Sequence, residues 1–341
     1  MPGEAESRPE DTLALAERAG IHRVALPTPF LVGRVNCYLI EDEPLTLIDT
    51  GPNSGKALDE LELGLAARGH GIEDLGLIVI THQHMDHIGL LEILVRRSGA
   101  EVAALHLLAP YLASFSQSMD GDDEFAEALM RSHGVPGDVV IALRAVSSAF
   151  RAWGCSAQVT RPLRDGETLE LRDRALRVLH RPGHSPSDTV FFDEARGILV
   201  AGDHLIAHIS SNPFVSRPLG ADPDVERPRA LLTYIDSMRL TRELPTRLTL
   251  PGHGDPILDH RTLINQRFAM HERRAGKMLA LLQDRPLTAY EVAQEMWGNT
   301  AVTQAYLTLS EVLGHMDILV RDGLARESSS EGVVRFGAAP G

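Results

Sequence analysis

An aliphatic run, LGLIVI at residues 75–80, leads directly into the histidine-rich segment THQHMDH and constrains the fold most strongly. A short continuous apolar run rich in β-branched residues predicts a buried strand. The preceding residues 55–71, GKALDELELGLAARGHG, predict a helix, and LTLIDTG at 45–51 predicts another strand before it. Alternation of strand, helix and strand is typical of layered α/β folds, so we expect an α/β protein.

Further strand-like segments lie on both sides of this unit. Their sequences are HRVALPTPF (22–30), VNCYLIED (35–42), ALRVLH (175–180), DTVFFDE (188–194), GILVAGD (197–203) and TRLTLPGHG (246–254). Residues 109–160 interrupt the pattern because they are polar and compatible with helix. We interpret them as a helical insertion, a lid over the site with apolar positions at Phe115, Phe125, Leu129 and Met130.

The pattern becomes helical from about residue 265. Thr288 stands three residues before Glu291, the spacing of a capping box that begins a helix. Apolar residues then recur with a helical period over 309–320, Gly323 marks the end, and residues 324–338 predict a hairpin. Two helices followed by a hairpin outline a winged helix. The expected division is a flexible N-terminus (1–19), a catalytic domain (20–264) and a winged-helix domain (265–341).

Charge and cysteine content exclude several classes of protein. The 341 residues contain 33 Lys and Arg against 47 Asp and Glu, a formal net charge of −14, which works against a nucleic-acid partner. Cys37 and Cys155 form no CxxC pair, so a bound metal must be held by nitrogen and oxygen. The first twenty residues are acidic and polar without the apolar core of a signal peptide, and no uninterrupted apolar stretch is long enough to span a bilayer. A cytoplasmic protein with a small-molecule substrate and no membrane partner is therefore expected.

The segment after the aliphatic run contains His82, His84, Asp86 and His87. Alternate side chains of an extended segment share a face, so His82 and His84 can point to one side together. A turn that follows would direct Asp86 and His87 to the other side. Two adjacent metal sites are the expected result, and these ligands suit Zn²⁺ first, with Mn²⁺ or Fe²⁺ as alternatives.

Three further ligand candidates stand where predicted strands end. His184 lies in PGHS, Asp203 in AGD and His253 in PGHG. The glycines allow the backbone to turn sharply, so that these side chains can be directed into a shared cleft.

These residues resemble the metallo-β-lactamase superfamily, whose HxHxDH motif is intact in residues 82–87 and whose downstream ligands follow in the same order. The similarity covers about residues 20–260 and implies an αβ/βα sandwich. The C-terminal region resembles the winged-helix appendage of one branch, which includes acyl-transfer hydrolases and an endoribonuclease.

The resemblance also implies a role for each ligand. One metal would be held by His82, His84 and His184, and the second by Asp86, His87 and His253. Asp203 would bridge the two metals, and Asp49 in LIDTG would orient ligands from behind, because a metal-bound histidine usually donates its other N–H to an oxygen.

Two cations held about 3.5–4 Å apart lower the pKa of a bridging water until hydroxide exists near neutral pH. Asp86 would ligate the second metal and also accept the proton of the nucleophile. Ser211 or Asn212, in the segment AHISSNPF, would supply polar donors toward the substrate.

We therefore expect a dinuclear metal-dependent hydrolase of a carbonyl ester, thioester or lactone. A metal-dependent endoribonuclease or phosphodiesterase, a DNA-reading regulator without activity, and a mononuclear iron dioxygenase using His82, His84 and Asp203 remain open. Residues 266–341 hold eight Lys and Arg against nine Asp and Glu, a net charge of −1, which is a poor match to nucleic acid. We expect this region to serve packing or the formation of a homo-oligomer.

Histidines outside this pattern carry no such context. The chain has 15 histidines in all, and we expect His22, His70, His260, His271 and His315 to be solvated or to cap helices.

Overall fold

The computed structural model describes residues 9–220 and 227–340. A six-stranded sheet comes first, with its strands in chain order across the sheet. They are β1 (Ile21–Leu26), β2 (Val35–Ile40), β3 (Thr46–Ile48), β4 (Leu77–Val79), β5 (Glu101–Leu105) and β6 (Arg161–Leu163). The first three strands are antiparallel and the pairs from β3 to β6 are parallel.

A five-stranded sheet follows in the order β11-β10-β9-β8-β7. Its strands are β7 (Thr168–Glu170), β8 (Ala175–His180), β9 (Thr189–Asp193), β10 (Ile198–Gly202) and β11 (Leu248–Pro251). Only the pair β10 and β11 in this sheet is parallel among the described residues.

Helices surround the two sheets, and two of them cover the outer face of the first one. Those of residues 9–242 are α1 (Pro9–Arg18), α2 (Gly55–Ala66), α3 (Met85–Ile88), α4 (Leu91–Ser98), α5 (Ala109–Ala113), α6 (Phe115–Ser132), α7 (Gly137–Phe150) and α8 (Ala230–Arg242). The remaining elements are α9 (His260–Leu281), α10 (Ala289–Trp297), α11 (Thr300–Thr303), α12 (Ala305–Arg321) and the hairpin of β12 (Ala325–Ser330) and β13 (Val333–Ala338).

The aliphatic run explains the layering. In β4 and just after it, Leu77 and Val79 belong to the apolar layer between the two sheets, whereas Ile78 and Ile80 pack in the layer beneath helices α2 and α4. A strand covered on both faces needs apolar residues at successive positions, which is why this run does not alternate. The mixed α/β sandwich expected from the sequence is therefore what the chain forms.

Several elements differ from expectation. Residues 9–18, expected to be flexible, form α1, and Ala16 of this helix is buried beside β1 in the layer between the sheets. Residues 1–8 of the same predicted segment lie outside the described residues. The sequence analysis did not predict the strands β5, β6 and β7 or the helix α8.

Residues 109–160 do form a helical insertion, but its apolar side chains face the protein. Leu129 and Met130 are buried against the C-terminal helices, and Phe125 is partly buried there. Phe115 packs in the core beneath the first sheet. These four side chains are therefore packing residues in this conformation, and the expectation that they line a substrate lid has no support from their positions.

The C-terminal unit, residues 265–340, contains helices and a small sheet. Thr288 caps α10 and Glu291 completes the capping box, as the spacing predicts. Helix α9 crosses the expected domain boundary, because Ile264 packs with α8 whereas Ala275 and Met278 pack with α10 and α12. In the described part of the chain, no helix has the length and apolar character needed to cross a bilayer.

Candidate metal centre

The expected ligands meet at the ends of strands from both sheets. The chain leaves β4 at Val79, passes His82, and reaches the extended residue His84, which precedes the short helix α3 that carries Asp86 and His87. His184 follows β8, Asp203 follows β10 and His253 follows β11. The structure thus brings together all seven side chains proposed as ligands, from positions up to 171 residues apart, His82 to His253.

The first ligand set consists of three imidazoles, His82, His84 and His184, whose ligand nitrogens lie within 4.8 Å of one another. Nε2 of His184 is 2.9 Å from Nδ1 of His84. His82 is fully buried, and its ring lies edge-on to the His84 ring with centroids 4.6 Å apart. This is the grouping that the resemblance implies for one metal.

The second set consists of Asp86, His87 and His253. Oδ2 of Asp86 is 3.3 Å from Nε2 of His253. Asp203 lies between the two sets, because its carboxylate oxygens are 3.5 Å from Nε2 of His87, 3.4 Å from Nε2 of His253 and 3.6 Å from Nε2 of His184. One carboxylate therefore reaches nitrogens of both sets.

The buried polar atoms of this cluster fit a metal better than a hydrogen-bond network. Nε2 of His82, His87 and His253 and Oδ1 of Asp203 are buried and have no hydrogen-bond partner among the described residues. Buried polar atoms are normally satisfied, so several unpaired ones in a single cluster need an explanation. Divalent metals coordinated by nitrogen and oxygen would satisfy them all.

The outward-facing ring nitrogens are held by oxygens, which fixes the direction of each imidazole. Nδ1 of His184 bonds to the carbonyl of Asn212 at 3.1 Å, and Nδ1 of His253 bonds to the carbonyl of Arg34 at 2.9 Å. Nδ1 of His87 bonds to Oδ2 of Asp49 at 2.7 Å. Each bond directs Nε2 toward the cluster, which is the usual arrangement behind metal-binding histidines.

Asp49 is the centre of this outer layer. Its carboxylate accepts hydrogen bonds from the backbone N–H and the hydroxyl of Thr81, at 2.9 and 2.8 Å. Oγ1 of Thr81 is also 3.0 Å from Nδ1 of His82, so Asp49 supports one ligand from each set. The backbone of Asp49 has φ of 60°, a strained conformation for a residue other than glycine, and such strain is concentrated at functional sites.

Charge is unevenly distributed between the two sets. Burial lowers the pKa of His84 to about 3, and the neighbouring His184 contributes to the lowering, so this set is neutral. Burial opposes the charged form of His253 as well, but Asp203 and Asp86 raise its pKa to about 10. The carboxylates around the second set therefore create a strong demand for positive charge, which a divalent cation would meet.

Gly252 explains why the ligand turn after β11 contains glycine. A Cβ atom at Gly252 would lie 2.2 Å from Oδ1 of Asp203 and 2.9 Å from Cε1 of His87. Glycine is therefore required at position 252 because the backbone passes close to two candidate ligands, and not only because the chain turns there.

The proposed substrate donors already have protein partners. The hydroxyl of Ser211 donates to the carbonyl of Asp203 at 2.5 Å, and the amide of Asn212 donates to the carbonyl of Leu307 at 3.0 Å. Ser211 is also buried. This geometry does not support a direct contact of either side chain with substrate.

Sequence reasoning missed Thr81, Phe214 and Tyr306. The Phe214 ring is half-buried, with its centroid 5.8 Å from that of His84 and 5.9 Å from that of His184, and the Tyr306 ring stacks on it. Thr81 could have been suspected from its place directly before the motif. No local signal marks Phe214 or Tyr306, since their positions depend on contacts between distant segments.

Most histidines outside the motif are less exposed than expected. His22 is buried and bonds to Glu41 at 2.8 Å, and His260, His271 and His315 are buried as well. Of these five, His70 alone is partly exposed. The solvated alternative was therefore wrong for these four rings: His22 and His271 bond to side chains from other segments, and His315 bonds to the carbonyl of Glu311 on its own helix.

Comparison with known proteins identifies the family. Residues 31–253 match the metallo-beta-lactamase superfamily. The Bacillus subtilis protein named "Probable metallo-hydrolase YqjP" is 35% identical over 296 residues, which cover 87% of this chain and 91% of that relative. A crystal structure of a metallo-β-lactamase family protein from Thermus thermophilus superimposes with a TM-score of 0.74 at 28% identity, over 94% of this chain and 98% of that one.

A relative whose name states a substrate class matches a smaller part of this chain. The human acyl-coenzyme A thioesterase MBLAC2 is 33% identical over 179 residues, which cover 50% of this chain and 58% of that enzyme. The matched region of 31–253 spans most of the chain and contains all seven ligand candidates. The chain therefore belongs to the metallo-β-lactamase superfamily and is a metal-dependent hydrolase.

Proposed function

We propose that the protein is a dinuclear metal-dependent hydrolase of carbonyl esters, with thioesters as the first substrate class. The position of Asp203 carries the proposal, because its carboxylate reaches His184 of one ligand set and both His87 and His253 of the other. A mononuclear iron site built from His82, His84 and Asp203 would leave the second set, with its unpaired Nε2 atoms, without a function.

The chemistry divides between the metals and the chain. When bound, two divalent metals supply Lewis acidity and an activated water near neutral pH, with Zn²⁺ as the first expectation and Mn²⁺ or Fe²⁺ as alternatives. Asp86 belongs to the second set, and its Oδ2 lies 3.3 Å from Nε2 of His253. We assign its carboxylate to accept the proton of the nucleophile. Asp49 and Thr81 keep His82 and His87 in the required orientation.

Support for an acyl substrate comes from the wall of the site. The half-buried Phe214 ring faces His84 and His184 and presents apolar surface beside the ligands. Ligand sites of this kind combine apolar walls with a few oriented polar groups. The thioesterase named among the relatives and the formal net charge of −14, which disfavours a phosphate backbone, point in the same direction.

We further propose that the chain divides into a catalytic domain (20–264) and a winged-helix domain (265–341) used for packing. The helices α10 and α12 and the hairpin β12–β13 have the expected order. Their apolar side chains are buried together with those of the insertion, so this domain already has an intramolecular packing partner. A homo-oligomer is not required to bury them.

The test combines metal analysis with a substrate panel. We expect two metal ions per chain and metal-dependent turnover of short-chain and long-chain acyl thioesters, esters or lactones that Asp203→Ala eliminates. Asp86→Asn should lower turnover more than metal content, because the amide keeps an oxygen ligand but cannot accept a proton. One metal per chain with an active His253→Ala variant would favour the dioxygenase. Cleavage of RNA that Asp203→Ala eliminates, without thioester turnover, would favour the endoribonuclease.

A further inference from the structure

Residues 211–217 connect the metal centre to the C-terminal unit, and we call them the bridging segment. They have no regular secondary structure. Between backbone groups within the segment, one turn-type hydrogen bond forms, from Ser216 to Phe214. A segment with so little internal bonding takes its conformation from its neighbours on both sides.

On one side the bridging segment holds two ligands. The carbonyl of Asn212 accepts the hydrogen bond from Nδ1 of His184, and the hydroxyl of Ser211 donates to the carbonyl of Asp203. The ring of Phe214 packs edge-on against both His84 and His184. The direction of the His184 ring therefore depends on where this segment lies.

On the other side, the first turns of α12 hold the segment through three hydrogen bonds. Leu307 accepts from Asn212, Ser310 accepts from the backbone N–H of Val215 at 3.3 Å, and the hydroxyl of Tyr306 donates to the carbonyl of Val215. The rings of Tyr306 and Phe214 also stack, with centroids 6.4 Å apart and planes inclined by 20°.

We propose that the start of α12 positions the metal ligand His184 and the Phe214 wall through the bridging segment. Tyr306 and Ser310 are then positioning residues that act on a metal ligand without touching it. The partner behind a metal-bound histidine typically contributes about 10–100-fold to metal affinity. Because Tyr306 and Ser310 act one step further out, we expect effects of about tenfold or less.

The far end of the bridging segment is held by the insertion rather than by α12. Arg217 donates to Asp122 of the insertion at 3.0 Å and to the carbonyl of Ser118 at 3.3 Å. The insertion and the C-terminal unit thus hold neighbouring parts of the same segment. Substitution in α12 should release residues 212–215 while residue 217 remains held.

The test uses the full-length protein with Co²⁺ and Zn²⁺ as probes. Tyr306→Ala should weaken one of the two metal equivalents about tenfold, measured by chelator competition, and leave the other unchanged. It should also alter the visible absorption of bound Co²⁺ and speed amide hydrogen exchange at residues 212–215 in the metal-free protein. Tyr306→Phe keeps the ring stacking and should recover most of the affinity, with a residual loss of about threefold.

Tyr290→Ala provides the matched control. Tyr290 is a buried tyrosine in α10 of the same unit, and it forms no hydrogen bond or ring contact with the bridging segment among the described residues. Its replacement should cost stability but leave both metal affinities and the Co²⁺ spectrum in place. Where Tyr306→Ala does not fold, Ser310→Ala decides the question, because it removes one hydroxyl that binds Val215.

Unchanged affinity in a folded Tyr306→Ala or Ser310→Ala variant would overturn the inference, as would an equal loss in Tyr290→Ala. The kinetic part rests on the proposed function: with an acyl substrate, Tyr306→Ala should raise KM several-fold through the displaced Phe214 wall. If no substrate is turned over, the proposed function fails, whereas the metal affinities and hydrogen exchange still decide whether α12 positions His184.

Discussion

Two clusters of buried histidines in this protein have similar contacts between ring nitrogens. At the strand ends, Nε2 of His184 lies 2.9 Å from Nδ1 of His84. Between α9 and α12, Nε2 of His315 lies 3.2 Å from Nδ1 of His271, and Glu311 completes a group of three potential ligands within 4.8 Å. Both clusters contain histidines that bond through Nδ1 to a backbone carbonyl, as His184 does to Asn212 and His315 does to Glu311. We call the second group the helix cluster.

Charge separates the two clusters. Asp86 and Asp203 stand among the ligands at the strand ends, with Asp49 behind them. The helix cluster has one carboxylate, Glu311, and the guanidinium of Arg274 already pairs with it. Burial lowers the pKa of His271 to about 3, and His315 and Arg274 contribute to the lowering, so this pair of rings is neutral.

The comparison teaches that spacing alone does not make a metal site. An unpaired excess of buried negative charge favours a bound cation, and of these two clusters only the one at the strand ends has this excess. In the helix cluster Arg274 supplies the positive charge, and a direct hydrogen bond between the rings accounts for their separation. We therefore expect two metal ions per chain rather than three.

The largest expected effect comes from removing ligands of the strand-end cluster. His84→Ala should lower turnover more than about 100-fold and reduce metal content, since even partners behind the ligands contribute about 10–100-fold. His315→Gln in the helix cluster should leave two metals and near-normal turnover. Elemental analysis with kinetics checks both, and a lost metal equivalent in His315→Gln would contradict the distinction.

Asp49→Asn tests the role of charge in the strand-end cluster, because it reduces the negative charge behind the metal centre. The asparagine Oδ1 can still accept from the backbone N–H of Thr81, but the NH2 group that replaces Oδ2 cannot accept from Nδ1 of His87 or from the hydroxyl of Thr81. We expect metal affinity to fall about 10–100-fold, measured by chelator competition. Asp255→Asn, an exposed neighbour of the His253 turn, is the control and should leave the affinity within about twofold.

Arg274→Met should remove the difference in charge between the two clusters, because it gives the helix cluster an unpaired carboxylate. Glu311 would then face two neutral imidazoles without its cation, and the metal-free protein should lose about 2 kcal/mol of unfolding free energy. This value allows for the 29% exposure of the Arg274 side chain. Added Zn²⁺ should restore stability and give a third metal equivalent. Urea unfolding with and without Zn²⁺ tests this, and the absence of a third equivalent would refute the charge argument.

The last expected effect is on the pH dependence of stability. The folded pKa of His271 lies at about 3, below the value of about 6.5 in the unfolded chain. Unfolding therefore takes up a proton between these values, so the stabilisation is complete above about pH 6.5 and declines as the pH falls toward 3. In metal-free protein, His271→Gln should reduce the slope by about 1.4 kcal/mol per pH unit. Equal slopes would show that His271 is already charged in the folded state.

The sequence identifies the residues of the candidate metal centre because the proposed ligands depend on local signals. His82, His84, Asp86 and His87 follow one strongly apolar strand, and the other three ligands follow strands with equally clear boundaries. Strands that end at the same edge of a sandwich bring such residues together. The capping box at Thr288 and the period of α12 are local in the same sense.

Residues outside these signals were predicted poorly. His271 and His315 stand 44 positions apart and meet only because α9 packs against α12. The apolar residues Leu129 and Met130 suggested a lid, but they are buried by the C-terminal unit. Periodicity identifies an apolar face, yet it cannot identify the surface that covers that face.

The sequence by itself determined the layered α/β architecture and the seven candidate ligands, because strand pattern, turn glycines and motif spacing are properties of short segments. Only the tertiary structure decided how charge is shared among buried groups. It pairs Arg274 with Glu311, leaves Asp203 between two sets of imidazoles, and joins Asn212 to both His184 and the start of α12. Those last contacts connect residues 28 to 95 positions apart, as in His184 with Asn212 and Asn212 with Leu307, and no local pattern encodes which of two histidine clusters retains an unbalanced negative charge.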